Sequence, residues 1–318
     1  MSSGYSFLAG GHWYGAHENV HSLRVASSLY AAIPAIKAAQ PDRIFALGDV
    51  VRDAGDVRQI HGFVDLQTEI GVGIRVAPGN HDLNRNGYFR FPHRFGTGNT
   101  FTYFNGDRFL VLNTEMLVNK QSHDLIEFVQ KSFVDVPEGR NLFVFTHRLV
   151  WALAEPGFSE MDDFANEPIG DKAPLDSIKM LYDAVCRHAP SGRMWWFSGD
   201  VGASWSLTLF EGRSRDGLRH FYAAGLGDRP EDAFWRVDVD SLGEVNVSPF
   251  PLVDAKALEP HQDLQYWRGK MKEVMAENQA PGGLGFGRLL QTLSLWIGLV
   301  LGALIGVLGM YVIRRRKR

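Results

Sequence analysis

Up to about residue 200, short apolar runs alternate with stretches of helical spacing. Residues 5–9, 43–47, 73–77, 109–112, 142–145 and 194–197 have the length and composition of buried strands. Between them, residues 20–39, 57–70, 122–133 and 175–188 repeat apolar positions at helical spacing, the first stretch ended by Pro41. From 204 to 247 the pattern changes to strands without helices: SWSLTLFEG, LRHFYAAG, AFWRVDV and EVNVS. Alternation followed by consecutive strands predicts an α/β fold in which two sheets pack together with helices outside, over residues 1–250. No internal repeat is visible.

The remaining chain has a different pattern. Residues 251–288 turn rich in Gln, Pro and Gly towards their end and predict a helical stalk and linker. A C-terminal transmembrane helix is predicted over 289–313, with the charge-free core LSLWIGLVLGALIGVLGMYVI at 293–313. At ~1.5 Å per residue that core spans roughly 32 Å, about one bilayer interior. Trp296 and Tyr311 sit near its two ends, where amphipathic rings favour the interface, and a basic tail of five cations fills 314–318. Gly298, Gly302 and Gly306 recur on one face; they suit either close packing in a homodimer or the ordinary glycine content of membrane helices. The basic tail favours its own placement in the cytoplasm. The N-terminal MSSGYSFLAGGHWYG, with neither a basic segment nor an apolar signal core, favours a cytoplasmic position for residues 1–250 instead. The second arrangement is the expectation here, a single-pass C-terminal anchor behind a cytoplasmic domain.

Composition narrows the classes. Across 318 residues, 45% hydrophobic and 22% charged content exclude wholesale disorder. The formal net charge of -3 carries none of the basic surplus of a nucleic-acid binder. The lone cysteine, Cys186, excludes an intramolecular disulfide and a Cys-rich zinc site.

Candidate chemistry gathers where apolar runs end. Gly10-Gly11-His12, Gly48-Asp49-Val50, Gly79-Asn80-His81-Asp82, Thr146-His147-Arg148 and Gly199-Asp200-Val201-Gly202 each follow a predicted strand directly. Strand tips of this kind are where open α/β sheets place ligands. Glycine there permits sharp turns and close approach, and Asp, Asn and His offer oxygen and imidazole ligands to a divalent ion. A single such loop is more often a cap or turn. Five at successive strand ends point to a shared centre.

In these motifs the sequence resembles the calcineurin-like metallophosphoesterase family, over roughly residues 5–247. The resemblance implies a four-layer α/β/β/α sandwich holding two metals, bridged by an aspartate and a hydroxide that attacks phosphorus. By that match Asp49 is the bridging carboxylate, Asn80 and His147 are metal ligands, and His81 is the general acid whose ring Asp82 orients. Two motifs depart from the pattern. Where the family has Asp-x-His the chain has Gly10-Gly11-His12, and where the family has Gly-His-x-His it has Gly199-Asp200-Val201-Gly202. The expected metal set is therefore His12, Asp49, Asn80, His147 and Asp200, thin on the His12 side. Nearby His17, Glu18 and His21 either complete that side or are surface polar residues, the latter being the expectation.

Carboxylates at the expense of imidazoles shift the preferred ion from Zn towards Mn, with Mg, Fe and Zn still compatible, as one or two ions. Arg148 is expected either to clamp a substrate phosphate or to form a surface salt bridge. Trp13, Trp151 and Trp205, close to the loops, are candidate stacking platforms. The function implied is a membrane-anchored hydrolase of phosphomonoesters or phosphodiesters; the alternative is an inactive scaffold of the same fold. Anchoring suits either a membrane-associated phosphate ester or docking onto a membrane partner.

Overall fold

The apolar runs become strands buried on both faces. The computed structural model describes residues 4–16, 24–83, 98–202, 208–258 and 262–279. The chain divides into two units, Met1–Leu264 and Gln265–Arg318. In the first, one sheet contains β1 (Tyr5–Gly10), β2 (Arg43–Ala46), β3 (Ile74–Val76), β10 (Ala233–Val239) and β11 (Val245–Pro251), in the order β11-β10-β1-β2-β3. The other contains β4 (Thr100–Phe104), β5 (Asp107–Val111), β6 (Leu142–Thr146), β7 (Met194–Ser198), β8 (Leu209–Arg213) and β9 (Arg219–Ala224), in the order β4-β5-β6-β7-β9-β8.

Alternation along each strand sorts its side chains between two apolar layers. Phe7 and Ala9 of β1, with Phe45 of β2, face the second sheet and join Phe109, Phe143, Phe145, Phe197 and Tyr222 in one cluster. Phe45 and Phe145 stack across the interlayer at 3.7 Å between centroids. The alternate residues Leu8, Ile44, Ala46, Ile74 and Val76 face outward to the helices. There α1 (Ser27–Ala31), α2 (Ile33–Ala39) and α3 (Val57–Ile70) supply Leu29, Ile33, Ile36, Phe63, Leu66 and Ile70. Helix α3 matches its predicted limits because both ends are capped: the Asp56 side chain accepts from Arg58 N–H, and Gly71 adopts φ 76°. The single helix expected over 20–39 is instead two pieces within the described residues, with Pro34 in the first turn of the second.

The outer face of the second sheet is covered likewise. After α4 (Glu115–Val118), α5 (Ser122–Ser132) packs beside α8 (Leu175–Cys186), while α6 (Val150–Ala154) and α7 (Glu160–Asp163) lie between them in the chain. Trp151 of α6 stacks on Phe210 and Phe221, and Tyr182 of α8 stacks on Trp196. The layers are thus helices, sheet, sheet, helices, the predicted arrangement.

Helix α9 (Leu264–Gln279) starts at the last residue of the first unit and is the described structure of the second, within the stretch expected as stalk and linker. The predicted membrane span, its Gly298, Gly302 and Gly306 face and the basic tail lie outside the described residues. Among the described residues no helix is long and apolar enough to cross a membrane.

Candidate metal centre

Strands β1, β2, β3, β6 and β7 end at one edge of the sandwich, and the five loops that follow them meet there. Two of the meeting residues hold backbone that side chains rarely adopt: His12 and Asp49 both have φ 54°. Such left-handed geometry in non-glycine residues costs of order 1 kcal/mol and persists where surroundings enforce it. At Asp49 the enforcing group is Asp82. Its fully buried carboxylate accepts the backbone N–H groups of Asp49 (2.8 Å), Val50 (2.9 Å), Val51 (3.3 Å) and Gly79 (2.9 Å). Gly79 lies so close that a Cβ there would meet Asp49 Oδ1 at 2.2 Å, so a larger residue would displace the carboxylate.

Four buried side chains then form a chain of contacts. His12 Nε2 lies 3.7 Å from Asp49 Oδ2, and His147 Nε2 lies 3.6 Å from Asp49 Oδ1 and 3.7 Å from Asp200 Oδ1. These separations exceed a hydrogen bond. Among the described residues no three or more His, Cys, Asp or Glu side chains are gathered closely enough to hold a metal ion as they stand. The donors nevertheless fit a divalent cation. His147 Nδ1 is tied to the Leu47 carbonyl at 2.9 Å, which leaves Nε2 its lone pair, and that buried Nε2 has no hydrogen-bond partner. An imidazole fixed through one nitrogen by a backbone carbonyl, its other nitrogen aimed at two carboxylates, is the usual preparation of a metal ligand. Asn80 opens the adjacent turn Asn80–Asp82, half-buried, and the N–H of His81 donates to Asp49 Oδ1 at 3.2 Å.

Charge follows the same layout. Burial pushes Asp49 up, but His147, His81 and His12 outweigh it and hold its carboxyl down at about 2. Burial lowers His12 to about 4. Burial also lowers His147, yet Asp49 and Asp200 more than compensate and raise it above its ordinary value. Burial lifts Asp200 to about 6 against the pull of Arg148 and His147.

His81 stands half-buried beside this cluster, and its ring partner differs from the expected one. Its Nδ1 meets the Arg52 carbonyl at 2.7 Å, whereas both oxygens of Asp82 are taken by backbone N–H groups. Asp82 therefore positions the Asp49 loop, and Arg52 orients the imidazole. The Arg52 guanidinium, itself half-buried, donates to Tyr14 Oη at 2.9 Å, and the Tyr14 ring lies 4.1 Å from His12 and 5.1 Å from His81. Tyr14 and Arg52 were missed from sequence. The available signal was their place two and three residues after His12 and Asp49.

Arg148 corrects a second expectation. It is buried, and its five N–H donors are all engaged: Nε with Glu115 Oε1 (2.5 Å), Nη1 with the Glu167 carbonyl (2.8 Å) and Asp200 Oδ2 (3.0 Å), Nη2 with Glu115 Oε2 (3.1 Å) and Glu167 Oε2 (2.8 Å). None is left for a phosphate, and the pair is no surface bridge. Arg148 instead holds Asp200 in place. Trp13 and Trp151 are likewise fully buried in apolar packing and offer no ring to a substrate. Trp205, His17, Glu18 and His21 lie outside the described residues.

No protein-family model matches the chain, and no curated protein matches it. Among solved structures it is similar to a dimetal phosphatase from Danio rerio, at 10% identity and TM-score 0.55, over 80% of this chain and 98% of that one. It is also similar to a purple acid phosphatase from seeds of yellow lupin (Lupinus luteus), at 14% identity and TM-score 0.49, over 80% of this chain and 55% of that one. The first of these establishes the fold: the chain has the calcineurin-like metallophosphoesterase fold.

Proposed function

We propose that the chain is a metal-dependent phosphoesterase that hydrolyses a phosphomonoester or phosphodiester. The observation that carries this reading is the unpartnered, buried Nε2 of His147 facing Asp49 and Asp200 at 3.6 and 3.7 Å. Asp49, Asn80, His147 and Asp200 would hold a divalent cation, Mn being the best match to so oxygen-rich a set. When bound, such an ion lowers the pKa of water and neutralises phosphate oxygens. The rest falls to the chain itself. His81, fixed through Nδ1 by the Arg52 carbonyl, delivers a proton from Nε2 to the departing oxygen. Arg52, beside His81, offers a cation to the substrate phosphate in the role first expected of Arg148.

The membrane segment adds a location to this reading: an anchor at 289–313 would keep the centre near phosphate esters at a bilayer surface. The decisive test is turnover of an aryl phosphate ester by the full chain with Mn²⁺. Asp49→Asn should lower the rate by more than about 100-fold, because it removes a charge shared by every imidazole of the cluster. Equal turnover by the variant would remove Asp49 from the chemistry. The second reading, an inactive scaffold, is favoured by glycine at two ligand positions of the motif, Gly10 and Gly202. It predicts less than one bound ion per folded chain at saturating Mn²⁺.

A further inference from the structure

We infer that this centre is built for a single divalent cation, held on the Asp49–His147–Asp200 side, and that packing leaves no room for the further ligands a second ion beside His12 would need. This inference rests on the metal-dependent reading above and sharpens it. Two ions need two donor sets, and catalytic sites draw about three ligands each from the protein. On the His147 side one imidazole faces two carboxylates, His147 Nε2 lying 3.6 Å from Asp49 Oδ1 and 3.7 Å from Asp200 Oδ1, with Asn80 on the neighbouring turn. On the His12 side the structure shows Asp49 Oδ2 at 3.7 Å and, among the described residues, no further carboxylate in contact.

The two positions that would complete that side are not merely short of a ligand; they have no space for one. A Cβ at Gly10 would lie 2.0 Å from Cδ1 and 2.4 Å from Cε1 of Phe234. That ring is fully buried and stacked on Trp13 at 5.6 Å, and Trp13 Nε1 donates to the Gly10 carbonyl at 2.7 Å. Phe234, Trp13 and Gly10 thus interlock, and the ring occupies the volume a carboxylate at position 10 would need. At Gly202, with φ 105°, a Cβ would lie 2.6 Å from the carbonyl carbon and oxygen of Gly225 and 2.9 Å from the Leu226 oxygen. Here backbone meets backbone, so no side chain at 202 can turn towards the centre without parting two loops. The His12 ring is buried and rests on Tyr14 at 4.1 Å. One imidazole and one shared carboxylate oxygen do not make a second cage.

The test is a count. The full chain, stripped with chelator and titrated with Mn²⁺, is expected to saturate at one ion by native mass spectrometry. Its electron paramagnetic resonance spectrum should be that of an isolated ion, without the features of an exchange-coupled pair. Two ions per chain, or a coupled spectrum, would overturn the inference while leaving the phosphoesterase reading intact. No bound ion would overturn both. Substitution locates the ion: His147→Ala should weaken Mn²⁺ binding at least about 10-fold, whereas His12→Ala should leave the dissociation constant within about threefold, because only the first removes a ligand. The reverse pattern would place the ion at His12 and sink the proposal. If either alanine variant fails to fold, the ion count and spectrum of the unsubstituted chain still decide.

Discussion

Asp82 and Arg52 divide between them a task that the Gly-Asn-His-Asp motif assigns to one residue. The four N–H groups gathered by Asp82 define the backbone of the Asp49 loop, and burial together with the Asp49 carboxylate lifts Asp82 to about 7. The imidazole of His81 is set by a backbone carbonyl, that of Arg52, which survives any substitution at position 52. That separation makes a clean prediction. Arg52→Ala should leave the His81 ring in place and remove only the guanidinium, raising KM for an aryl phosphate while kcat falls much less. A charge-assisted hydrogen bond is worth about 1.5–3 kcal/mol, or roughly 10- to 100-fold in kcat/KM. Steady-state kinetics with Mn²⁺ decides it, and an unchanged KM would exclude Arg52 from substrate contact. Five of the residues in or beside the cluster were legible because a glycine or strand end announced them: His12, Asp49, His81, His147 and Asp200. Glu115 and Glu167 were not, since they reach Arg148 through tertiary packing and follow no local signal.

Among the elements, legibility tracks burial and length. Strands buried on both faces read as apolar runs, and β10 and α3 match their predicted limits. Strand β4 was missed because it is an edge strand, paired to β5 alone and half-exposed: TFTYF has no apolar run, and its polar–apolar alternation spans only four residues. Helices α4, α6 and α7, of four or five residues, are too short to show a period. Yet one of those short pieces, α4, helps anchor the centre. Arg148, just past β6, binds Glu115 at the start of α4, Glu167 in the loop beyond α7, and Asp200 past β7. Replacing it strands two buried carboxylates, Glu115 and Asp200. Breaking a buried ion pair from one side costs about 3–5 kcal/mol, so Arg148→Ala should lower urea-unfolding stability by about that amount. Lys131→Ala, which breaks the exposed Lys131–Glu127 pair at 2.7 Å, should change it by less than about 1 kcal/mol. Equal losses from the two variants would show that the Arg148 cluster does not organise these elements.

At the scale of the molecule, the centre lies at one edge of the two sheets and the chain continues past it into α9 and an apolar tail. The tail's physical character is set by composition alone: 21 residues from 293 to 313 without a charge, closed by five cations. Each buried apolar side chain contributes about 1.5–3 kcal/mol to leaving water, so a segment of this length and composition would, if helical, gain far more from a bilayer than from any exposed position. The full chain is therefore expected to float with lipid vesicles and to resist alkaline extraction, and a chain cut after residue 292 should stay in the aqueous fraction. Flotation of the shortened chain, or release of the intact one by alkali, would refute the anchor. Activity then separates the two purposes of tethering. If the anchor serves encounter, the cut should leave kcat on a soluble aryl phosphate unchanged but slow hydrolysis of a phosphate ester embedded in the same vesicles. The loss should approach the ratio of local to bulk concentration, about 10²-fold or more for a flexible tether. If the anchor serves instead to meet a membrane partner, both substrates should be turned over equally well by the two forms. The embedded-substrate comparison, run beside the ion count on the same shortened chain, also shows whether the centre is complete without its tail.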